Sequence, residues 1–443
     1  MAQLRREIGT FSLFFILFFC TSGGPYTTET LIASVGPGVG LLILLLIPIV
    51  WSLPEALIIG ELASMLPEEG GYYRWVDRAF GRFWGFQNGW LTWIYSLVDM
   101  ALYPVLFNQY MRCLVPGAHR WEWLIALAVI WCATGINLRG GVRVGRVSIA
   151  AGSFVMLGFL VMSVCAVPRI VRVPWEPFAS ENVHGLGGLA LGISIGLWNY
   201  IGWDNASTAQ GEVRDASRSY PRALALALPF VTLGYLVPLI VALGATNWKT
   251  WSEGAWPQIA AQATGGGSQW IAVWIALGGM VSALALFNAL LLGYSRIPFV
   301  MAGDELLPKF LARLDDRGTP RNAVIISAVF YSLFALLPFS RLVIADVVLY
   351  SLALFLEFGA LIRLRKTQPS LRGAFRIPLG RVGVTMIAVL PVMVLLGVIT
   401  VSVGNGEYGL PALAGSAAAI AAGPIVYGII RRRHASSGKS SAP

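Results

Sequence analysis

No feature constrains this chain more than the stretch from Leu41 to Val50, ten positions without one polar side chain. A membrane barrel strand alternates apolar and polar residues. A solid apolar run therefore excludes a barrel and asks for a helix. A membrane-crossing helix needs about 20 mostly apolar residues. Twelve stretches of that kind are read from the sequence, over roughly 9–35, 38–66, 83–112, 121–138, 147–168, 187–210, 224–245, 270–300, 322–338, 343–364, 382–403 and 409–430. The connections between them are too short for a separate soluble domain. Composition agrees: 56% of the 443 residues are hydrophobic and only 12% are charged, against about 25% charged in soluble proteins. Those proportions exclude a disordered chain and an ordinary soluble enzyme. They also give no basic soluble face for nucleic acid. The expected class is an all-α membrane protein with twelve transmembrane helices, embedded in the lipid bilayer.

Orientation follows from the basic residues. With both termini placed on the cytoplasmic side, all but six of the 32 Lys and Arg fall on inner segments; the exceptions are Arg112, Arg120, Arg169, Arg172, Lys249 and Arg341. This asymmetry obeys the positive-inside rule and predicts a multi-pass protein of the cytoplasmic (inner) membrane. The start, Leu4-Arg5-Arg6, resembles a signal peptide, but no A-x-A-like site follows, so an uncleaved first span is expected. Residues 431–443 read as a flexible basic cytoplasmic tail. Cys20, Cys113, Cys132 and Cys165 show no metal or redox spacing. They read as small buried hydrophobes, and neither a metal site nor a cofactor is expected.

Two stretches are interrupted by residues that do not suit a membrane helix. The first contains Thr21-Ser22-Gly23-Gly24-Pro25-Tyr26, where Pro25 lacks an N–H and its ring clashes with the carbonyl of residue 21. The sixth contains Trp198-Asn199-Tyr200-Ile201-Gly202-Trp203-Asp204-Asn205. Irregular backbone at membrane depth is tolerated only where protein or a cavity covers it. Breaks five helices apart predict a five-plus-five inverted repeat with helices 1 and 6 discontinuous and a site between them. Helices 1–5 then span about 9–168, helices 6–10 about 187–364, and helices 11–12 about 382–430.

Of the 22 acids, Glu29, Glu55, Glu61, Asp99, Asp204 and Glu357 fall within apolar stretches. A charge there costs about 2.5–3.5 kcal/mol even on the lenient insertion scale, so each needs a partner or a function. Glu29 and Asp204 lie at the two breaks. Glu55 and Glu61 are expected to pair with Arg or to cap backbone. Glu357, six residues before Arg363, is either structural or a proton carrier. Asp99 precedes Pro104, which is expected to limit regular helix. The mixed charged and aromatic stretch from Pro67 to Gly81 predicts a short helix on the inner interface, where aromatic residues settle.

The chain resembles the amino acid–polyamine–organocation transporter superfamily. Glu61-Leu62-Ala63, Pro67-x-x-Gly70-Gly71-Tyr72, Phe80-Gly81 and Gly85-Phe86-Gln87-x-Gly89-Trp90 carry the likeness. A closer likeness to the L-type and polyamine-uptake branch rests on Ser22-Gly23-Gly24-Pro25-Tyr26, Trp51 to Leu57, Ala101 to Phe107 and Trp198-Asn199-Tyr200-x-x-Trp203-Asp204-Asn205. It rests also on Gly211-Glu212-Val213, Leu356-Glu357-Phe358 and Phe375 to Leu379.

The resemblance implies alternating access and a substrate site at the breaks in helices 1 and 6. In amino-acid-carrying relatives the helix 1 break uses backbone N–H groups to take a carboxylate, as a helix N-terminus can. Here Pro25 removes one donor and Glu29 adds a negative charge, and both changes favour an amine. By the same matching Trp198 stands where relatives place an aromatic gate. Trp198 and Trp203 are expected to cover an ammonium through cation–π contact, worth up to about 2 kcal/mol. Some relatives carry a Lys in helix 5 at an ion site, and the matching position here is Ser153. A buried carboxylate is then the coupling candidate, since loss of water favours its neutral form.

The expected function is secondary transport of amino acids or polyamines, and specifically proton-coupled uptake of a polyamine or other organic cation. The expected substrate-binding residues are Ser22, Gly23, Gly24, Pro25, Glu29, Asp99, Tyr103, Trp198, Asn199, Gly202, Trp203 and Asp204. The proton-coupling candidates are Glu29, Asp204 and Glu357. A neutral or cationic amino acid carrier or exchanger is the alternative, its carboxylate held by the Gly23 and Gly24 amides. A non-transporting membrane receptor or sensor is the alternative from another class. An enzyme is not expected, because His119, His184 and His434 lie outside or at the ends of spans. No phosphate-binding loop of a pump appears. No partner subunit is expected; Cys113 is the weak candidate for a disulfide to one.

Overall fold

The computed structural model describes residues 4–181, 183, 185–267, 269–335, 343–404 and 410–438. His184, Arg341 and Lys439 lie outside the described residues. The regular secondary structure of the described residues is helical. A parallel bridge between Ile8 and Val213 stands in place of any sheet. The physical reason is local: a helix satisfies its backbone N–H and C=O groups within the segment, which an apolar surround requires.

The first apolar stretch divides into α1 (Thr10–Thr21) and α2 (Thr28–Val35). Gly36, with φ at +90°, then turns the chain into α3 (Pro37–Ile47). A π turn at Pro48–Ser52 links α3 to α4 (Leu53–Met65) without a break. Proline cannot donate to the helix ladder, and the wider turn before Pro54 accommodates the missing bond. There follow α5 (Tyr72–Phe80), α6 (Arg82–Leu114), α7 (Glu122–Asn137) and α8 (Gly141–Ala166).

The second half begins with α9 (Gly185–Trp198), six non-helical residues and a 3-10 segment at Asn205–Glu212. It continues through α10 (Ala216–Ala245), α11 (Trp256–Ala263), α12 (Gln269–Tyr294), α13 (Arg296–Gly303), α14 (Arg321–Phe334) and α15 (Val343–Thr367). The last two helices are α16 (Arg381–Gly404) and α17 (Leu410–Gly438). Among the described residues six helical segments are long and apolar enough to cross a membrane by themselves. Thr10–Thr21, Gly188–Trp198 and Arg321–Phe334 are shorter apolar helices.

Helix α12 is central. It packs on α6, α8, α7 and α1, and 78% of the Gln269–Gly303 apolar window is buried, against 28% for Arg381–Val401. Helix α12 therefore lies at the core, and α16 lies at the periphery.

Three expectations are corrected. Pro104 does not limit α6, which runs through it from Arg82 to Leu114; packing on both sides offsets one lost backbone bond. Helix α5 forms as expected, and its aromatic side chains pack largely into the protein. Tyr72, Tyr73 and Trp75 are buried against α6 and α15, and the Trp75 indole donates to the Leu66 carbonyl at 3.1 Å. Of the cysteines only Cys20 is buried; Cys113 and Cys132 are exposed. The terminal segment expected to be flexible from 431 continues α17 to Gly438.

Two buried ion pairs tie distant elements together. Arg365 on α15 grips Glu61 on α4, and Glu61 also accepts the Ile377 amide at 2.8 Å. Glu61 thus both pairs with Arg and caps backbone. Arg296, fully buried at the head of α13, pairs with Glu212. The Glu212 carboxylate accepts the Gly141 amide at the start of α8, and its carbonyl accepts the amides of Glu7 and Ile8 just before α1. Glu69 joins this network, accepting the Gly211 amide at 2.8 Å. These contacts fix the ends of α1, α8 and the 3-10 segment, and so fix where the two non-helical stretches meet.

Candidate functional site

The two non-helical stretches meet at the core. Gly202 has φ at +104°, and a Cβ there would lie 2.4 Å from the Cys20 carbonyl oxygen at the end of α1. Only glycine permits that backbone approach. Around the junction is a cavity with ≈ 560 Å³ of empty space, part of it open to solvent.

The cavity is acidic and aromatic. Its lining includes Asp99 and carries no Lys, Arg or His side chain. Tyr26, Tyr95, Tyr103, Tyr294, Tyr350 and Trp198 also line it. Asp99, from α6, accepts the Tyr103 hydroxyl at 2.8 Å and the Tyr294 hydroxyl at 2.9 Å. Two hydroxyl donors satisfy an ionised carboxylate and leave it facing the cavity. The C-terminal ends of α1 and α9 reach the same space through Thr21 and Trp198. Helix C-termini carry a partial negative charge and unpaired carbonyls. Electrostatically the cavity suits a cation.

The helix 1 amides that could hold an anion are engaged. Gly23 donates to the Phe18 carbonyl at 3.2 Å. Gly24 donates to the Ser22 hydroxyl oxygen at 3.1 Å. The Gly23 carbonyl accepts the Ser282 hydroxyl at 2.5 Å.

A family model described as "Amino acid permease" matches residues 8–418. The chain belongs to the amino acid permease family. The permease is 34% identical over 408 residues to "Polyamine transporter PUT1" of Oryza sativa subsp. japonica, covering 91% of this chain and 75% of that protein. It is 34% identical over 400 residues to "Polyamine transporter RMV1" of Arabidopsis thaliana, covering 89% and 80%. It is 33% identical over 403 residues to a "Probable polyamine transporter" of Arabidopsis thaliana, covering 90% and 80%. The resemblance to the amino acid–polyamine–organocation superfamily is thereby established, and the permease is a multi-pass membrane transporter.

Of the residues expected at the permease's site, Ser22, Asp99, Tyr103, Trp198, Asn199 and Gly202 line the cavity. Asn199 bridges the two breaks, since its side-chain oxygen accepts the Thr27 hydroxyl at 2.9 Å. Gly23, Gly24, Pro25, Glu29, Trp203 and Asp204 are not among the lining residues. The Pro25 carbonyl accepts the Trp256 indole at 2.8 Å. Glu29 is buried in the first turn of α2 and accepts the Gly254 amide at 2.9 Å. Trp203 is fully buried. Ser153, matched to the helix 5 lysine of some relatives, is exposed on α8.

Asp204 lies behind the cavity wall. Its Oδ1 is 3.1 Å from the Tyr350 hydroxyl, which is also 3.0 Å from Glu55 Oε1 and accepts the Gly202 amide at 3.0 Å. Glu55, expected to pair with Arg or to cap backbone, meets no Arg among the described residues; beside this tyrosine it takes a backbone hydrogen bond from Trp203. Glu357 is 1% exposed, and neither carboxyl oxygen makes a hydrogen bond of normal geometry, the Asn88 side chain being its polar neighbour.

Sequence reasoning missed Tyr26, Tyr95, Tyr294 and Tyr350. A tyrosine in an apolar helix carries the same local signal whether it faces a core or a cavity. Only the acids beside them, at positions 55, 99 and 204, marked the neighbourhood.

Proposed function

We propose that this permease carries a polyamine or similar organic cation by alternating access, through twelve membrane-crossing helices in a five-plus-five inverted repeat. Helices 1 and 6 are its discontinuous members, and the cavity between their breaks is the substrate site. Both termini lie on the cytoplasmic side of the cytoplasmic membrane. Transport is secondary and driven by protons, with Glu29, Asp204 and Glu357 as the coupling candidates.

The observation that carries the substrate reading is the charge of the cavity wall. Asp99 faces it, no basic side chain does, and the Gly23 and Gly24 amides are already engaged. One ammonium group rests on Asp99 beneath Tyr103 and Tyr294. Trp198 covers the methylene chain or a cationic end through its π face. Ser22, Asn199 and the carbonyls ending α1 take the remaining N–H donors. The names of the plant relatives agree with this substrate class.

Labelled putrescine uptake into proteoliposomes tests the reading. Saturable putrescine uptake, in excess over leucine and arginine and enhanced by an inward proton gradient, is the expected result. Robust leucine or arginine uptake without putrescine uptake sinks the substrate assignment in favour of an amino acid carrier. Indifference to the gradient sinks the coupling. Binding without any counterflow identifies a receptor.

A further inference from the structure

Behind the cavity wall three buried acids stand without a cation. Glu55 on α4, Asp204 in the non-helical stretch after α9, and Glu357 on α15 are each at most 2% exposed. Among the described residues no Lys, Arg or His pairs with any of them. The nearby arginines are committed elsewhere, Arg365 to Glu61 and Arg296 to Glu212. The other titratable groups facing the acids are phenols and a thiol, from Tyr72 on α5, Tyr95 on α6, Tyr220 on α10 and Cys20 on α1. None supplies positive charge at neutral pH.

A count of hydrogens decides what the cluster lacks. The Tyr350 hydroxyl oxygen makes three close contacts, with the Gly202 amide, Glu55 Oε1 and Asp204 Oδ1. The amide brings its own hydrogen. The phenol has one hydrogen and two lone pairs, so it donates to one carboxylate only. With both acids ionised the remaining contact is oxygen against oxygen without a hydrogen, between buried like charges. One added proton completes the set. The protonated carboxyl donates to the second lone pair of the phenol, and the phenol donates to the other carboxylate.

A second observation points the same way. Glu357 follows Tyr350 by seven positions, two turns along one face of α15. Neither of its oxygens, nor Glu55 Oε2, makes a hydrogen bond of normal geometry; the Asn88 side chain is the polar neighbour of Glu357, and the charges of Asp204 and Glu55 act on it. Among the described residues no three acid, histidine or cysteine groups converge closely enough to hold a metal ion. One proton satisfies the contacts of the Tyr350 hydroxyl without any further ligand.

We infer that Glu55, Tyr350 and Asp204 form a one-proton site behind the substrate cavity, with Glu357 as the next acceptor. Tyr350 belongs to both compartments: it lines the cavity, and its hydroxyl holds the acids. Through the Gly202 amide the proton also sets the backbone of the non-helical stretch that lines the cavity. Loss of the proton leaves Tyr350 holding one acid and repelled by the other, which loosens its hold on Gly202. This assignment rests on the proton-coupled reading above for its role in transport, but not for its existence.

Infrared spectroscopy of the purified full-length protein at neutral pH tests it directly. Read as the difference between wild type and each variant, so that protonated Glu69 cancels, a carbonyl stretch of a buried carboxylic acid is expected in the wild type. It is lost in both Glu55→Gln and Asp204→Asn, because either amide supplies the missing hydrogen, and it persists in Glu357→Gln. Tyr350→Phe, which leaves both acids present, shifts the band by removing its partner. A band unchanged in both amide variants, or one removed by Glu357→Gln alone, overturns the assignment. In proteoliposomes Glu55→Gln is expected to lose gradient-driven putrescine accumulation, with exchange of internal for external putrescine measured in parallel. A wild type indifferent to the gradient defeats the coupling reading alone, and the infrared result then still decides the site.

Discussion

Asp99 on α6 receives the hydroxyl of Tyr294, the last residue of α12, at 2.9 Å, across 195 positions of sequence. That bond, with the one from Tyr103 a turn away on α6, holds the carboxylate that faces the cavity in a single orientation. A cation docking there meets a fixed charge and little reorganisation, the condition under which a charged hydrogen bond is worth most.

Asp99→Asn keeps the shape and removes the charge. A hydrogen bond to a charged group contributes about 1.5–3 kcal/mol, so putrescine affinity is expected to fall roughly 10- to 100-fold. The measurement is the half-saturation of labelled putrescine uptake. An unchanged value removes Asp99 from the site.

Ser22→Ala frees an amide. The Ser22 hydroxyl oxygen occupies the Gly24 N–H, one of the donors a substrate carboxylate would use. Without it, arginine is expected to compete with putrescine about fivefold better, on the scale of one hydrogen bond. Unchanged or weakened competition means that the Ser22 hydroxyl is not what excludes a carboxylate.

Arg365→Met strands Glu61 as a buried unpaired charge between α4 and the Ile377 segment. Breaking such a pair from one side costs about 3–5 kcal/mol. A large fall in thermal denaturation temperature in detergent is expected, and Glu61→Gln added to Arg365→Met is expected to recover most of it. Equal destabilisation by the single and double variants would show that the stranded charge is not the source of the loss.

Glu69, between α4 and α5, supplies a pH dependence. Burial, aided by the charge of Glu212, lifts its carboxyl from 4.5 to about 8 against the pull of Arg296. The folded protein therefore holds a proton that the unfolded chain has released within that window, and stability falls as pH rises through it. Denaturation temperature is expected to decline towards pH 8, with a shallower slope in Glu69→Gln. Identical slopes in the two proteins refute the assignment.

Much of the architecture is legible before any fold. Solid apolar runs mark the helices. Gly-Gly-Pro at 23–25 and Gly202 mark the two non-helical stretches, because proline lacks a donor and glycine alone accepts the required backbone angles. The cost of a charge among apolar residues singles out the six acids. Ser22, Asp99, Tyr103, Trp198, Asn199 and Gly202 line one cavity, and each adjoins a break or an acid in sequence.

Pairing is not legible, and it decides what each acid does. Glu61 and Glu55 look alike in sequence, six positions apart on one helix. Yet Glu61 meets Arg365 across 304 positions and becomes a brace, whereas Glu55 meets Tyr350 and lacks any cation. Likewise Gly23 and Gly24 read as open donors in sequence, and the turn returns them to Phe18 and Ser22. The sequence by itself determined a helical membrane protein with acids at two breaks, because hydropathy and backbone preference are local. The tertiary structure alone decided which acids meet an arginine and which do not, because that depends on atoms hundreds of residues apart being brought within hydrogen-bonding distance.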